Sequence, residues 1–458
     1  MKILILGAGQ VGTSVAENLV SEHNDITVID TDGARLAMLQ DRLDLRGLMG
    51  NGTHISTLQE AGAADADLFI SCATADETNL VACKLAKRVF NVPRCIARVR
   101  SSEFLDHEEL MGEDGFDVDH LICPERSVTR YIEKLVEIPE ALQVVEFAGG
   151  RVCAVTVRAA AGSPLAGQPI QSLRDRLPAA DVRIIAIFRN GRLVKPDGDT
   201  CIEPADEVLF LADTRHVRAI IRELRESDKR VKRVMIAGGG NIGLRLAKSI
   251  GDHCDVKIIE QNRRRCELLA TQLPSRVLIL NADATDENLL EEENVAEMDL
   301  FLALTSDDED NIMSSLLAKR MGARRVIALI GRKSYGELME GGRIDIAISP
   351  SEATIGELLR YVRRGDVVAV HRLRHGVTEA LEAIAHGDAK SSQVVGRRIE
   401  DINLPAGATI GAIVRHEEVL MAHHDTVIEP DDHVIVFVAN QRLIAQVEKL
   451  FQVSATFF

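Results

Sequence analysis

The sequence predicts an α/β protein with two tandem doubly wound parallel-sheet domains, each followed by a small α+β domain. Three observations lead there. Short β-branched runs alternate with helical patterns in the front of each half. A glycine motif, Gly7-Ala8-Gly9-Gln10-Val11-Gly12, returns as Gly238-Gly239-Gly240-Asn241-Ile242-Gly243. A turn motif, Asp199-Thr200-Cys201-Ile202-Glu203-Pro204, returns as Asp425-Thr426-Val427-Ile428-Glu429-Pro430. The chain is therefore a duplication, front-back-front-back, and its 458 residues accommodate four domains. Expected limits are 1–137, 138–226, 231–362 and 363–458, with the charged stretch Arg225-Glu226-Ser227-Asp228-Lys229-Arg230 as the hinge between halves.

In the first front unit, strands are expected near Lys2–Leu6, Ile26–Ile29, Leu45–Met49, Leu68–Cys72, Cys95–Val99 and His120–Ile122. Helical patterns fall between them, so the connections are parallel βαβ units. Six strands fit the Rossmann-like order 3-2-1-4-5-6. Asp67-Leu68-Phe69-Ile70 recurs as Asp299-Leu300-Phe301-Leu302, and Asp76-Glu77-Thr78-Asn79 as Asp308-Glu309-Asp310-Asn311. The back unit reads as strands Val182–Arg189, Arg192–Val194 and Glu207–Ala212, then a helix from about His216 to Leu224.

Composition narrows the function. Apolar residues make up 46% of the chain, enough for several cores. A net charge of −16 argues against nucleic acid as a partner, because phosphate backbones need a basic surface. No apolar run reaches the ~18 residues of a membrane span, and Met1 to Leu6 turns into glycines at once, as a buried strand does. The expected location is the cytoplasm. Eight cysteines without a C-x-x-C pair read as reduced core thiols.

The glycine motif carries the chemistry. It follows a strand, opens a helix and precedes Asp30 at the end of the second strand. Gly7 permits the tight turn, Gly9 lets backbone approach a diphosphate, and Gly12 lets the helix pack closely. The helix N-terminus offers free N–H groups to the phosphates. Asp30 accepts from adenosine ribose hydroxyls and repels a 2′-phosphate, so NAD(H) is favoured over NADP(H). In the second copy Glu260 holds the acid position. The run Arg263-Arg264-Arg265 after it either meets a phosphate or forms the exposed start of a helix. Asp283, whose counterpart is Asn51, is placed to accept from an adenine amino group.

Across essentially its full length the sequence resembles the RCK (regulator of potassium conductance) family, in particular its two-module members in Trk-type potassium uptake systems. The resemblance rests on Ile5-Leu6-Gly7-Ala8-Gly9-Gln10-Val11-Gly12, Asp76-Glu77-Thr78-Asn79, Ile96-Ala97-Arg98-Val99-Arg100, the 238–243 motif, Leu317-Ala318-Lys319-Arg320-Met321-Gly322-Ala323 and the paired back units. It implies a regulatory subunit on the inner face of the membrane, assembled as a homo-oligomeric ring beneath an integral membrane potassium-translocating subunit. It maps nucleotide contacts onto Gly7 to Val11, Asp30, Ala73, Thr74 and Arg98, and onto the 238–243 loop and Glu260. It adds ATP and ADP as ligands beside NAD(H). The counterpart of Arg98 is Leu329, a departure that sets the two modules apart in ligand preference.

An NAD-dependent oxidoreductase is the alternative. It needs a substrate domain and a proton-transfer group. The strongest base, His120, is replaced by Ile346 in the second copy, which suits a core or interface position. His423-His424-Asp425 suggests a metal, but Asp425 matches Asp199 and reads as a turn residue. A transcriptional regulator would need a helix-turn-helix and a basic surface, and neither is legible.

Overall fold

Lys2-Ile3-Leu4-Ile5-Leu6 places four consecutive apolar residues in a strand, and all four are buried. Such a run needs cover on both faces, which a parallel sheet sandwiched by helices provides. The computed structural model describes residues 1–20, 24–225, 229–332, 334–336, 342–362, 366–373 and 379–453. Strands β1 (Lys2–Leu6), β2 (Asp25–Asp30), β3 (Arg46–Met49), β4 (Leu68–Ser71), β5 (Arg94–Arg98) and β6 (His120–Ile122) form the first front sheet. Its order is β3-β2-β1-β4-β5-β6, all parallel, as the sequence predicts.

The back unit has five antiparallel strands where the sequence reading named three. They are β7 (Ala141–Phe147), β8 (Val152–Arg158), β9 (Val182–Arg189), β10 (Arg192–Val194) and β11 (Glu207–Asp213), in the order β10-β9-β11-β8-β7. The missed pair, β7 and β8, is a hairpin turned by Gly149 and Gly150 at φ 64° and 88°. The second half repeats both sheets. Strands β12 (Arg233–Ala237), β13 (Asp255–Glu260), β14 (Leu278–Asn281), β15 (Leu300–Ala303), β16 (Val326–Leu329) and β17 (Ile346–Ile348) run in the order β14-β13-β12-β15-β16-β17. Strands β18 (Val367–Arg372), β19 (Glu379–Ile384), β20 (Ala408–Arg415), β21 (Glu418–Met421) and β22 (His433–Val438) form the last sheet.

Eight helices matter for the site: α1 (Gln10–Val20), α2 (Gly33–Gln40), α3 (Asp76–Phe90), α4 (Pro124–Glu137), α5 (Asn241–Ile250), α6 (Arg263–Gln272), α7 (Asp308–Arg320) and α8 (Pro350–Val362). Helices α4 and α8 begin with proline, whose fixed φ and missing N–H suit a first turn. Each crosses to the other module. Val128, Ile132 and Leu135 of α4 share a core with Ile242, Leu246 and Ile250 of α5. Ile355, Leu358 and Leu359 of α8 share a core with Val11, Val15 and Leu19 of α1. Ser127 Oγ donates to Glu357 Oε1 at 2.8 Å, which ties the two crossover helices together. The two back sheets pack face to face through Phe147, Phe188 and Leu211 on one side and Ala412, Val414 and Phe437 on the other.

The repeated turn motif of the back units has a physical basis. Asp206 is 1% exposed and takes a bidentate pair from Arg189 Nε and Nη2, both at 2.9 Å. Arg189 Nη1 reaches Glu203 at 2.6 Å. Asp432, Arg415 and Glu429 repeat the arrangement with the same distances. A buried carboxylate needs such a fork of donors to remain charged.

Other expectations fared unevenly. Residues 226–228 of the expected hinge lie outside the described residues. Cys72, Cys83, Cys95, Cys123, Cys153 and Cys254 are buried, as core thiols are, whereas Cys201 is exposed and Cys266 partly so. No described helix is long and apolar enough to cross a membrane.

Candidate functional site

The first glycine loop leaves β1 and turns into α1. Gly7 N–H donates to Ile29 O at 2.8 Å, and Gly7 sits at φ 104°, where a side chain is strained. A Cβ there would also lie 2.9 Å from the Cys72 carbonyl. A Cβ on Gly12 would fall 1.8 Å from Gly7 O, so this glycine lets the helix close onto the turn. Gly9 differs: a Cβ there would meet nothing within 4 Å, because the position faces the cleft. The second loop repeats these properties. Gly238 has φ 106°, Gly243 would place a Cβ 2.1 Å from Gly238 O, and Gly240 faces open space. Gly239, in the place of Ala8, would set a Cβ 2.4 Å from Leu269 Cδ1.

The acids brace these loops. Asp30 Oδ2 accepts the Ala8 N–H at 2.5 Å and Oδ1 accepts Asp32 N–H at 2.8 Å. Glu260 Oε2 accepts Gly239 N–H at 2.9 Å and Oε1 accepts Asn262 N–H at 2.8 Å. Each carboxylate oxygen accepts one such bond and keeps a further lone pair, as hydrogen bonding to ribose hydroxyls requires.

In the sequence, Asp76 to Asn79 marks the duplication and carries part of the family resemblance. The structure gives it a task. Asn79 is fully buried; its Oδ1 accepts from Ser71 Oγ (2.8 Å) and Ala73 N–H (2.7 Å). Its Nδ2 donates to Ala73 O (3.0 Å) and Arg98 O (2.9 Å). Asp76 Oδ2 accepts the N–H groups of Arg100 and Ser101 at 2.9 and 2.8 Å. Asn79 fixes Ala73 and Arg98 at the mouth, and Arg100, anchored on Asp76, donates from Nη2 to Thr74 O. Asn311 and Asp308 repeat the pattern at Thr305, Leu329, Gly331 and Arg332.

Gly7 to Val11, Asp30, Ala73, Thr74 and Arg98 line one end, at the carboxyl ends of the first sheet's strands, of a continuous cavity of about 2120 Å³ that runs on past α4 and α8 to β7 and β18. Its opposite wall comes from the second module: a Cβ on Gly331 would lie 2.1 Å from Gln10 Nε2. Arg98 is 17% exposed, its Nη2 is 3.6 Å from Glu125 Oε1, and its buried Nε has no hydrogen-bond partner in the chain. A diphosphate fits this arrangement: an open approach at Gly9, free N–H groups at α1 and an unsatisfied guanidinium donor. Val11 is buried in the apolar cluster of α8, and Ile242 in that of α4, so both loops abut crossover helices.

In the second module the 238–243 loop and Glu260 come together likewise. Asp283 stands just past β14, but its Oδ1 accepts Thr285 N–H and Oγ1 at 2.8 and 2.7 Å. These bonds hold its carboxyl below the usual range. Asn51 makes the same turn with Thr53 at 3.0 and 2.8 Å. The arginine run divides. Arg263 is exposed and pairs with Glu267 at 3.5 Å, whereas Arg265 Nε donates to Gly239 O at 2.7 Å. Its Nη2 is buried without a partner in the chain.

His120 stacks on Tyr361 at 3.8 Å, where burial and then Arg360 lower its pKa to about 4. It lies between β6 and α8, in an interface. Burial pushes the Cys72 thiol up to about 12, so it remains protonated and a poor nucleophile. His423 lies in a turn where its N–H donates to Thr426 Oγ1 at 3.0 Å, as Asp197 does to Thr200.

Known proteins share this architecture. The TrkA-N domain model matches residues 3–124 and 234–350, and the TrkA-C domain model residues 154–225 and 389–452. The chain is 53% identical over 458 residues to the Trk system potassium uptake protein TrkA of Halomonas elongata and 52% identical to that of Vibrio alginolyticus, each covering 100% of both chains. Among solved structures it resembles the GsuK RCK domain (TM-score 0.61, 16% identity, 98% of this chain and 94% of that one). It also resembles the GsuK channel bound to NAD (TM-score 0.61, 16% identity, 98% and 78%), and both likenesses speak to fold alone. Two front sheets, two back sheets and full-length identity above half establish that the chain belongs to the TrkA family, with TrkA-N and TrkA-C domains in tandem duplicate.

Proposed function

We propose that the chain is a nucleotide-responsive regulatory subunit of a Trk-type potassium uptake system and not a catalyst. The observation that carries this reading is the first cleft: a glycine loop open at Gly9, flanked by Asp30 and the unsatisfied Arg98 Nε, and walled by the other module at Gly331. The ligand class is an adenine nucleotide, NAD(H) foremost, with ATP and ADP as further members. As a regulatory ligand, such a nucleotide supplies binding energy and no bond chemistry. Gly7 to Val11 receive its diphosphate, Asp30 orients the adenosine ribose, and Ala73, Thr74 and Arg98 hold the far half.

Transmission follows from packing. Val11 touches the apolar cluster of α8 and Gln10 abuts Gly331, so a shift of the loop bears on the angle between modules. A ligand moves that balance only by binding one arrangement more tightly than the other. The relatives' name places them in potassium uptake. By extension this chain sits at the inner face of the membrane, in a homo-oligomeric ring against a potassium-translocating subunit. The test is potassium-limited growth of cells lacking the native gene, complemented with the parent or with Gly9→Asp, beside calorimetric NADH binding. Rescue by the parent and failure of the variant support the proposal. A parent that binds no adenine nucleotide, or that turns over NADH with a metabolite, overturns it.

A further inference from the structure

The duplication sets an arginine at the same point of each front sheet. Asp119 Oδ2 accepts the Cys95 N–H at 2.6 Å, and Asp345 Oδ2 accepts the Val326 N–H at 2.8 Å, so the preceding residues, Arg94 and Arg325, are equivalent. Each reaches across to the end of the other module's crossover helix. Arg94 Nη1 donates to Tyr361 O, in the last turn of α8, at 2.7 Å. Arg325 donates from Nη1 to Pro139 O and from Nη2 to Ala141 O, just past α4. Carbonyls at and beyond a helix end lack intrahelical partners, and a guanidinium satisfies them.

The two joints are unequal. Arg325 is partly buried and makes two bonds, whereas Arg94 is exposed and makes one. The end of α4 is also held from the first back unit: Arg225 Nε pairs with Glu140 at 2.5 Å, and Arg218 Nη2 donates to Glu137 O at 3.3 Å. At the spacing of the repeated turn motif, Arg225 and Arg218 correspond to Phe451 and Ile444, which lie in the apolar core of the second back unit. The end of α8 has a stack of rings and cations instead. His120 lies on Tyr361 at 3.8 Å, with Arg360 4.5 Å and Arg94 6.0 Å from the same ring. Both arginines are exposed, where cation–π contacts are weak beside the bonds of a partly buried guanidinium.

The weaker joint is the one at the cavity. Strand β5 begins with Arg94 and ends with Arg98, at the first glycine loop. Helix α8 lines the same cavity with Gly356, Glu357 and Arg360. A ligand there bears on both partners of the joint.

We infer that the angle between the modules changes where β5 meets the end of α8, while the clamp of Arg325 on the end of α4 serves as a fixed pivot; that a nucleotide drives the change rests on the function proposed above.

Hydrogen exchange read by mass spectrometry on the full chain tests this, first without ligand. Protection of residues 356–362 is expected to be at least about tenfold lower than that of residues 131–137. Arg94→Ala should lower protection at the α8 end by a further factor of about 3 to 10, the range of one hydrogen bond, and leave the α4 end unchanged. Arg325→Met should lower the urea midpoint and speed exchange in both modules, as loss of a pivot would. Saturating NADH should slow exchange at the α8 end by at least about threefold and leave the α4 end unmoved. An α4 end no better protected than the α8 end, an α8 end insensitive to Arg94→Ala, a urea midpoint unmoved by Arg325→Met, or bound NADH without effect at the α8 end overturns the inference. A chain that binds no NADH by calorimetry overturns the proposed function instead; the comparison of the free helix ends still decides which joint is weak, so the two failures are told apart.

Discussion

Gly9 and Gly12 belong to one motif, yet the structure predicts opposite consequences for filling them. A Cβ on Gly9 would meet nothing within 4 Å, and its φ lies outside the left-handed region. Gly9→Asp should therefore fold as the parent does, with a stability change of about 1 kcal/mol or less. Its carboxylate would face the bound diphosphate. At ~4 Å and an effective dielectric of ~20 the repulsion is about 4 kcal/mol, roughly a thousandfold in Kd. Gly12→Ala would put its Cβ 1.8 Å from Gly7 O, with no flexible side chain able to yield. The backbone must move, at a cost of about 3 kcal/mol or more. Isothermal titration with NADH and urea melts of both variants separate the two effects. An NADH affinity for Gly9→Asp within about threefold of the parent would refute the role of the loop. A Gly12→Ala protein as stable as the parent would refute the packing argument.

Other consequences can be measured alongside. Asp30→Ala should relax discrimination against NADPH, because the group that repels a 2′-phosphate is gone; competition titration of NADPH against NADH reads this, and full retention of NADH preference would show that Asp30 does not face the ribose. Asn79→Ala removes four hydrogen bonds at a fully buried position and should lower unfolding free energy by about 3 kcal/mol, checked by denaturant melts. Asp432→Ala removes a fully buried carboxylate that takes two bonds from Arg415, which keeps Glu429, and should cost about 3 kcal/mol, with Asp206→Ala giving a similar loss in the first back unit. His371 lies edge-on to Phe147 at 5.2 Å, and burial lowers its pKa to about 4. Its neutral form is the folded one, so the unfolded chain takes up a proton first as pH falls below the usual ~6.5. The stability due to this group is full above pH ~6.5 and declines down to pH ~4, by about 3 kcal/mol at most. His371→Phe should flatten that slope in melts across pH 4–7; an unchanged slope would place the titration elsewhere.

Much of this architecture was legible because local signals agreed. The strand before Gly7, the glycine spacing, and the acids Asp30 and Glu260 are consecutive or nearly so, and each half repeats the other. What was not legible depends on residues far apart in the chain. Nothing in Arg263-Arg264-Arg265 tells which side chain turns inward; that follows from Asn262 replacing the Asp32 that restrains Arg35. The exchange of α4 and α8 between modules cannot be read from periodicity, because an apolar helix face does not name its partner. Asn79 looked like a repeat marker until the chain brought Ser71, Ala73 and Arg98 around it. The β7–β8 hairpin does carry a local signal, the Gly149-Gly150 pair at its turn.

The central claim is that the first glycine-lined cleft binds an adenine nucleotide between the modules. A structure of the protein soaked with NADH tests it most directly. The account predicts a diphosphate over Gly9, the adenosine ribose on Asp30 and the far half against Arg98. A first cleft without nucleotide at saturating NADH, or one bound away from the Gly7–Gly12 loop, would contradict it.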